Sequence, residues 1–103
     1  MATATYPDSL PRRTAHAVHA LMAAGSIAYG NGPGPFTAAE VCVYDSWEAL
    51  SPRHTAAALR EAQKLGLAMF VPPSYWTPTN AALALRGAFE ERFLRDTVEE
   101  AGG

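Results

Sequence analysis

The 103-residue sequence contains one lysine, Lys64, one isoleucine, Ile27, and one cysteine, Cys42. A single cysteine excludes an internal disulfide framework and fits a reducing compartment. No apolar run reaches the roughly 18 residues that a bilayer crossing demands. Arg12 to Ala28 has two arginines followed by small and apolar residues, as a secretory leader has. His16 and His19 interrupt that stretch, and its removal would delete the first helix proposed below, so the expected compartment is the cytoplasm. Charge is sparse as well, at 17% of residues with a formal net value of −2. The abundant alanine and scarce lysine and isoleucine fit a GC-rich genome and say nothing about function.

Hydrophobic residues make up 49% of the chain and ten residues are aromatic, enough for one core and too many for wholesale disorder. Charge is distributed unevenly. From Met1 to Phe89, six basic residues face five acidic ones, leaving one net positive charge. From Glu90 to Gly103, two basic residues face five acidic ones, leaving three net negative charges. The acidity sits in the tail, and the near-neutral remainder permits a nucleic-acid partner without demanding one.

Local patterns predict the element order. Residues 1–9 are expected to be frayed. Thr14, Val18, Leu21 and Met22 recur at helical spacing and predict a helix over Leu10 to Ala24, with Pro11 in its first turn and Gly25 as its stop. Gly30 to Pro35 is a glycine-proline loop. Thr37-Ala38-Ala39-Glu40 has capping-box spacing, with Phe36 placed as a staple, and opens a short helix to about Tyr44. Asp45 to Leu50, carrying Trp47, is expected to form a turn or one more helical turn. Ser51 as N-cap and Pro52 at the first helical position open a helix that ends at Gly66. Ala68 to Val71 and Tyr75 to Thr77 read as strands around Pro72-Pro73-Ser74. Thr77-Pro78 then opens one long terminal helix with Leu85, Phe89, Phe93 and Leu94 at its apolar positions. The expected fold class is mainly α with a small β-hairpin, hence α+β.

The helix after Ser51 carries the chemistry. At 100° per residue, Thr55, Ala58, Leu59, Ala62 and Leu65 gather on one side. Arg53, Ala57, Arg60 and Lys64 gather on the other, flanked by Ala56, His54 and Gln63. Such a ridge suits a DNA major groove: small residues admit the backbone, and the cations reach phosphates or the O6/N7 edge of guanine. Ser51 and the first amides offer a phosphate position. The competing interpretation is an ordinary solvated helix face, with Glu61 pairing Lys64.

In order and spacing, four segments resemble the winged helix-turn-helix regulators of the MarR and PadR type, over about Ala15 to Arg86. They are Gly34 to Val41, Leu50 to Thr55, Leu65-Gly66-Leu67 and Tyr75-Trp76-Thr77-Pro78. The resemblance implies a winged helix-turn-helix over residues 10–79 and a dimerising helix with tail over 80–103. It further implies a DNA-binding transcriptional regulator, usually a homodimer, with base contacts from the helix beginning at Pro52. The expected DNA-binding residues are Ser51, Arg53, His54, Ala57, Arg60 and Lys64, with Arg12 and Arg13 on phosphates. The expected dimer seam is Phe89, Phe93, Leu94 and Val98. Three features depart from the family: the wing tip has no basic residue, the Tyr44–Leu50 turn is long, and the glycine-proline loop stands where a short first strand often lies.

Other residues predict less. His16 and His19 are three apart, a spacing able to share a metal. No carboxylate or cysteine clusters beside them in sequence, so they are expected in solvent or near a DNA backbone. The glycine-proline loop lacks the Lys-Ser/Thr of a phosphate cradle. Cys42, between Val41 and Val43, is expected to be a small packing residue, and Asp96 is assigned to the terminus. Trp47 and Trp76 are expected in the core or a hinge, with Tyr75 facing away from Trp76. No nucleophile motif surrounds Ser51, Cys42 or His54, so neither an enzyme nor a cofactor is expected. A dimer cleft would be lined by Tyr29, Trp47 and Phe93, but nothing in them identifies a ligand. The alternative function is a protein-interaction module of the same fold that does not touch DNA, favoured by the acidic tail and uncharged wing.

Overall fold

The computed structural model describes residues 9–25, 35–44 and 51–102. Residues 1–8, Trp47 with the Asp45–Leu50 turn, Tyr29, and the glycine-proline loop up to Gly34 lie outside the described residues. The fold is mostly helical with a small three-stranded antiparallel sheet, an α+β arrangement. Its elements are α1 (Arg12–Ala24), β1 (Phe36–Thr37), α2 (Ala38–Cys42), α3 (Pro52–Lys64), β2 (Ala68–Val71), β3 (Tyr75–Pro78), α4 (Asn80–Ala84) and α5 (Arg86–Gly102).

At the centre lies α1. Ten of its thirteen residues are buried, because it packs against α2, α3, α5 and β3. Its alanines let those neighbours approach closely, and Val18, Leu21 and Met22 supply the bulk. The rest of the core comes from Phe36, Val41, Leu59, Leu67, Trp76 and Phe89. Among the described residues, no helix is long and apolar enough to cross a membrane.

The sheet holds one more strand than expected. β3 is central, with β2 on one side and β1 on the other. Phe36 pairs with Trp76 and Thr37 with Tyr75. Two residues are too few for a visible alternation, so β1 is illegible except through its partner. Thr37 also caps α2: its Oγ1 accepts from the Glu40 amide at 3.2 Å, and Glu40 accepts from the Thr37 amide at 2.8 Å. Strand alternation turns Trp76 inward and leaves Tyr75 exposed.

The C-terminal region corrects two expectations. Thr77-Pro78 does not open a helix, since both residues belong to β3. Thr79 is the cap, accepting from the Ala82 amide at 3.2 Å. The single long helix is two helices, α4 and α5, parted at Leu85. Gly87, a weak helix former, lies just beyond the break. The apolar spacing runs through Leu85 without interruption, so periodicity alone conceals it.

Candidate nucleic-acid interface

Helix α3 is defined at both ends. Ser51 caps it, its Oγ lying 3.4 Å from the His54 amide and 2.8 Å from His54 Nδ1, and Pro52 occupies the first turn. At the other end the Leu67 amide reaches Ala62 O at 2.9 Å and the Gly66 amide reaches Gln63 O at 3.0 Å. This paired closure places Gly66 at φ +78°, a left-handed conformation natural to glycine. Thr79 Oγ1 donates to Gly66 O at 2.6 Å, tying the exit of α3 to the start of α4.

The helix is seated by one face. Thr55, Ala58, Leu59 and Ala62 are buried, and Leu65 packs on the core from its edge. On the opposite side Arg53, Arg60 and Lys64 are exposed, with Ala56 and Ala57 half-buried between them. Lys64 Nζ lies 3.7 Å from a Glu61 carboxylate oxygen, and both side chains are more than half exposed. Such a pair contributes little and does not remove the lysine from solvent. Ser51 and His54 are exposed at the start of the same helix.

The two remaining cations of the expected interface differ. Arg13 is exposed. Arg12 Nε lies 4.0 Å from Asp96 Oδ2, so its head group leans on α5.

His16 and His19 pack against α5 rather than standing in solvent. His16 is wholly buried, its Nε2 2.8 Å from Asp96 Oδ2. His19 stacks on Phe93, with ring centroids 4.3 Å apart and 10° between planes. Burial drives the His19 pKa below its ordinary value, with nearby Glu90 opposing the shift and His16 adding to it. Asp96 is not in a loose terminus. It is buried on α5, where it accepts from Arg92 Nε at 2.8 Å, while Arg92 Nη1 donates to Leu10 O at 3.0 Å. Burial pushes the Asp96 carboxyl up, but hydrogen bonds and positive charge from Arg92 and His16 outweigh this and hold it below its usual range. The Arg92–Asp96 spacing of four was a readable helical ion pair. Its partner 80 residues away was not.

These contacts also redistribute the expected dimer seam. Phe89 is fully buried in its own chain, and Phe93 packs on His16 and His19. Phe89 is thereby withdrawn from any seam, while Leu94 and Val98 are 56% and 69% exposed on α5. Cys42 is half-buried, its thiol 3.4 Å from Ala39 O. Among the described residues, no three His, Cys, Asp or Glu side chains are grouped to hold a metal.

The hairpin β2–β3 is unlike α3. From Leu65 to Leu85 there is no Asp, Glu, Lys, Arg or His. Met69, Phe70 and Tyr75 are exposed on it. No family model, curated protein or solved structure matches this chain.

Proposed function

We propose that the chain is a cytoplasmic winged helix-turn-helix regulator that acts by binding double-stranded DNA, with α3 as its recognition helix and no catalytic role. The element order α1-β1-α2-α3-β2-β3 and the sheet order β1-β3-β2 support the fold reading: α2 and α3 form the helix-turn-helix, and β2–β3 is the wing. One observation carries the function. Arg53, Arg60 and Lys64 stand exposed along one side of a helix whose other side is embedded in the core. Arg13 adds a phosphate contact, Arg12 a weaker one, and Ser51 with His54 the contact at the helix start.

The partner copy in this reading is a second identical chain. Leu94 and Val98 form the seam on α5, with Phe93 beneath, and the two α3 helices lie about one DNA turn, roughly 34 Å, apart. Phosphate contacts from Arg12, Arg13 and Lys64, three per protomer and six per dimer, would lose about a thousandfold in affinity between 50 and 200 mM salt.

The test is a gel shift on random-sequence duplex DNA at low salt, comparing the native chain with Arg53→Ala/Arg60→Ala. Both arginines are exposed, so the variant is expected to melt like the native chain and to shift no DNA. Retained binding refutes their assignment. The uncharged wing with exposed Met69, Phe70 and Tyr75 favours a second reading, a protein-interaction module. A native chain that binds no duplex even at low salt points there.

A further inference from the structure

Resting on the DNA-binding reading, we infer that α3 divides its work: Arg53 and Arg60 read guanines, and Lys64 holds a phosphate. The half-site is then two G·C pairs about three steps apart.

Geometry separates the cations. Arg53 and Arg60 are seven positions apart, so they point the same way to within about 20° and stand about 10.5 Å apart along the axis. At about 3.4 Å per base pair, that is about three steps of the major groove. Only Ala56 and Ala57 occupy the ridge between them. Neither has atoms beyond Cβ, so the helix can approach the base edges until both guanidinium forks reach them. A larger residue there would hold it away. Ala57 is also suited to apolar contact with a thymine methyl between the two guanines.

Chemistry separates them too. No described residue forms an ion pair with Arg53 or Arg60, so both forks are available. A planar fork matches guanine O6 and N7 in a bidentate way. Lys64 is a point charge in the last turn, with Glu61 at 3.7 Å. It suits a phosphate, whose recognition needs charge rather than a fixed fork. The uncharged wing supplies no cation to the neighbouring groove, so sequence preference falls on α3.

The experiment is selection from a random duplex library with the native chain, Arg60→Gln and Lys64→Gln, followed by anisotropy titration of the winning duplex. The native chain should enrich two G·C pairs about three apart. Arg60→Gln should lose about ten- to a hundredfold on that duplex and shift one position towards adenine, which glutamine reads. Lys64→Gln should weaken all duplexes alike and lower the salt slope by about one, with the enriched motif unchanged. Duplexes bound without G·C preference, or a motif indifferent to Arg60→Gln, would overturn the division of labour while leaving DNA binding intact. A native chain that recovers no duplex would overturn the DNA-binding reading itself.

Discussion

Replacing Asp96 with alanine should be among the most damaging single changes in this chain, although the sequence places it in an acidic tail. The Asp96 side chain is 6% exposed, Arg92 11% and His16 0%. One carboxylate oxygen serves both partners at 2.8 Å, and Arg92 Nη1 donates to Leu10 O. Removing the carboxylate takes away the acceptor that Arg92 Nε and His16 Nε2 share, a one-sided break that costs about 3–5 kcal/mol where such a pair is buried. That is a large share of the roughly 5–15 kcal/mol holding a typical domain together. At about 4–8 °C per kcal/mol for a chain of this size, Tm should fall by at least about 12 °C.

The control distinguishes a lost contact from a stranded charge. Arg92→Met/Asp96→Leu removes both ions and should be less damaging than Asp96→Ala alone, because a buried pair can be exchanged for apolar volume at little net loss. Urea denaturation followed by circular dichroism measures both. An Asp96→Ala variant within about 1 kcal/mol of the native chain would refute the claim that this cluster anchors α5 to α1. So would a double variant worse than the single one.

Other outcomes follow from the same contacts. Gly66→Ala meets no atom within 4 Å, so its penalty is conformational only, about 1–2 kcal/mol for φ +78°; a denaturation midpoint unchanged from native would contradict it. Acidification should destabilise the fold in two stages, since both shifted groups bind protons more readily when unfolded. The contribution of His19 is full above its ordinary 6.5 and fades as pH drops through that value towards the lowered one; that of Asp96 is full above 3.8 and fades below. Urea midpoints that stay flat from pH 7 to 5 would exclude the first stage, and His19→Phe should abolish it. Leu94→Glu/Val98→Glu should turn a sedimenting dimer into a folded monomer whose thermal midpoint no longer depends on concentration, and a native chain that is monomeric at about 100 µM would dispose of the seam.

Local chemistry was legible wherever a residue acts on its neighbours in sequence. The Ser51-Pro52 start, the Thr37–Glu40 box, the Leu65-Gly66-Leu67 exit and the buried side of α3 all follow from spacing and capping. Long-range partners were not. β1 exists only because Trp76 and Tyr75 lie alongside Phe36 and Thr37, and His16 is buried only because α5 returns over α1. His16 and His19 read as solvated, or near a DNA backbone, when their polarity is weighed without Asp96 and Phe93. Phe89 reads as a seam residue from sequence because an apolar stripe looks the same whether its own chain or a second copy covers it.

Net charge poses the remaining physical objection to a DNA-binding reading, since the chain carries −2 overall. Placement weakens it. Of the acids after Phe89, Asp96 is turned inward against Arg92 and His16, so its charge is answered locally rather than projected outward. Glu90, Glu91 and Glu99 are exposed on α5, which docks on α1. The molecule extends 39 × 32 × 26 Å, whereas fields from exposed charges decay over about 8 Å at physiological salt. A phosphate at the α3 ridge therefore feels Arg53, Arg60, Lys64 and Glu61 far more strongly than acids beyond that distance. The objection regains force as salt is lowered and the screening length grows, so association rate should rise less steeply on dilution than for a uniformly basic domain. Replacing exposed Glu90, Glu91 and Glu99 with glutamine should accelerate association most at the lowest salt, and an equal effect at every salt concentration would show that these acids act at close range instead.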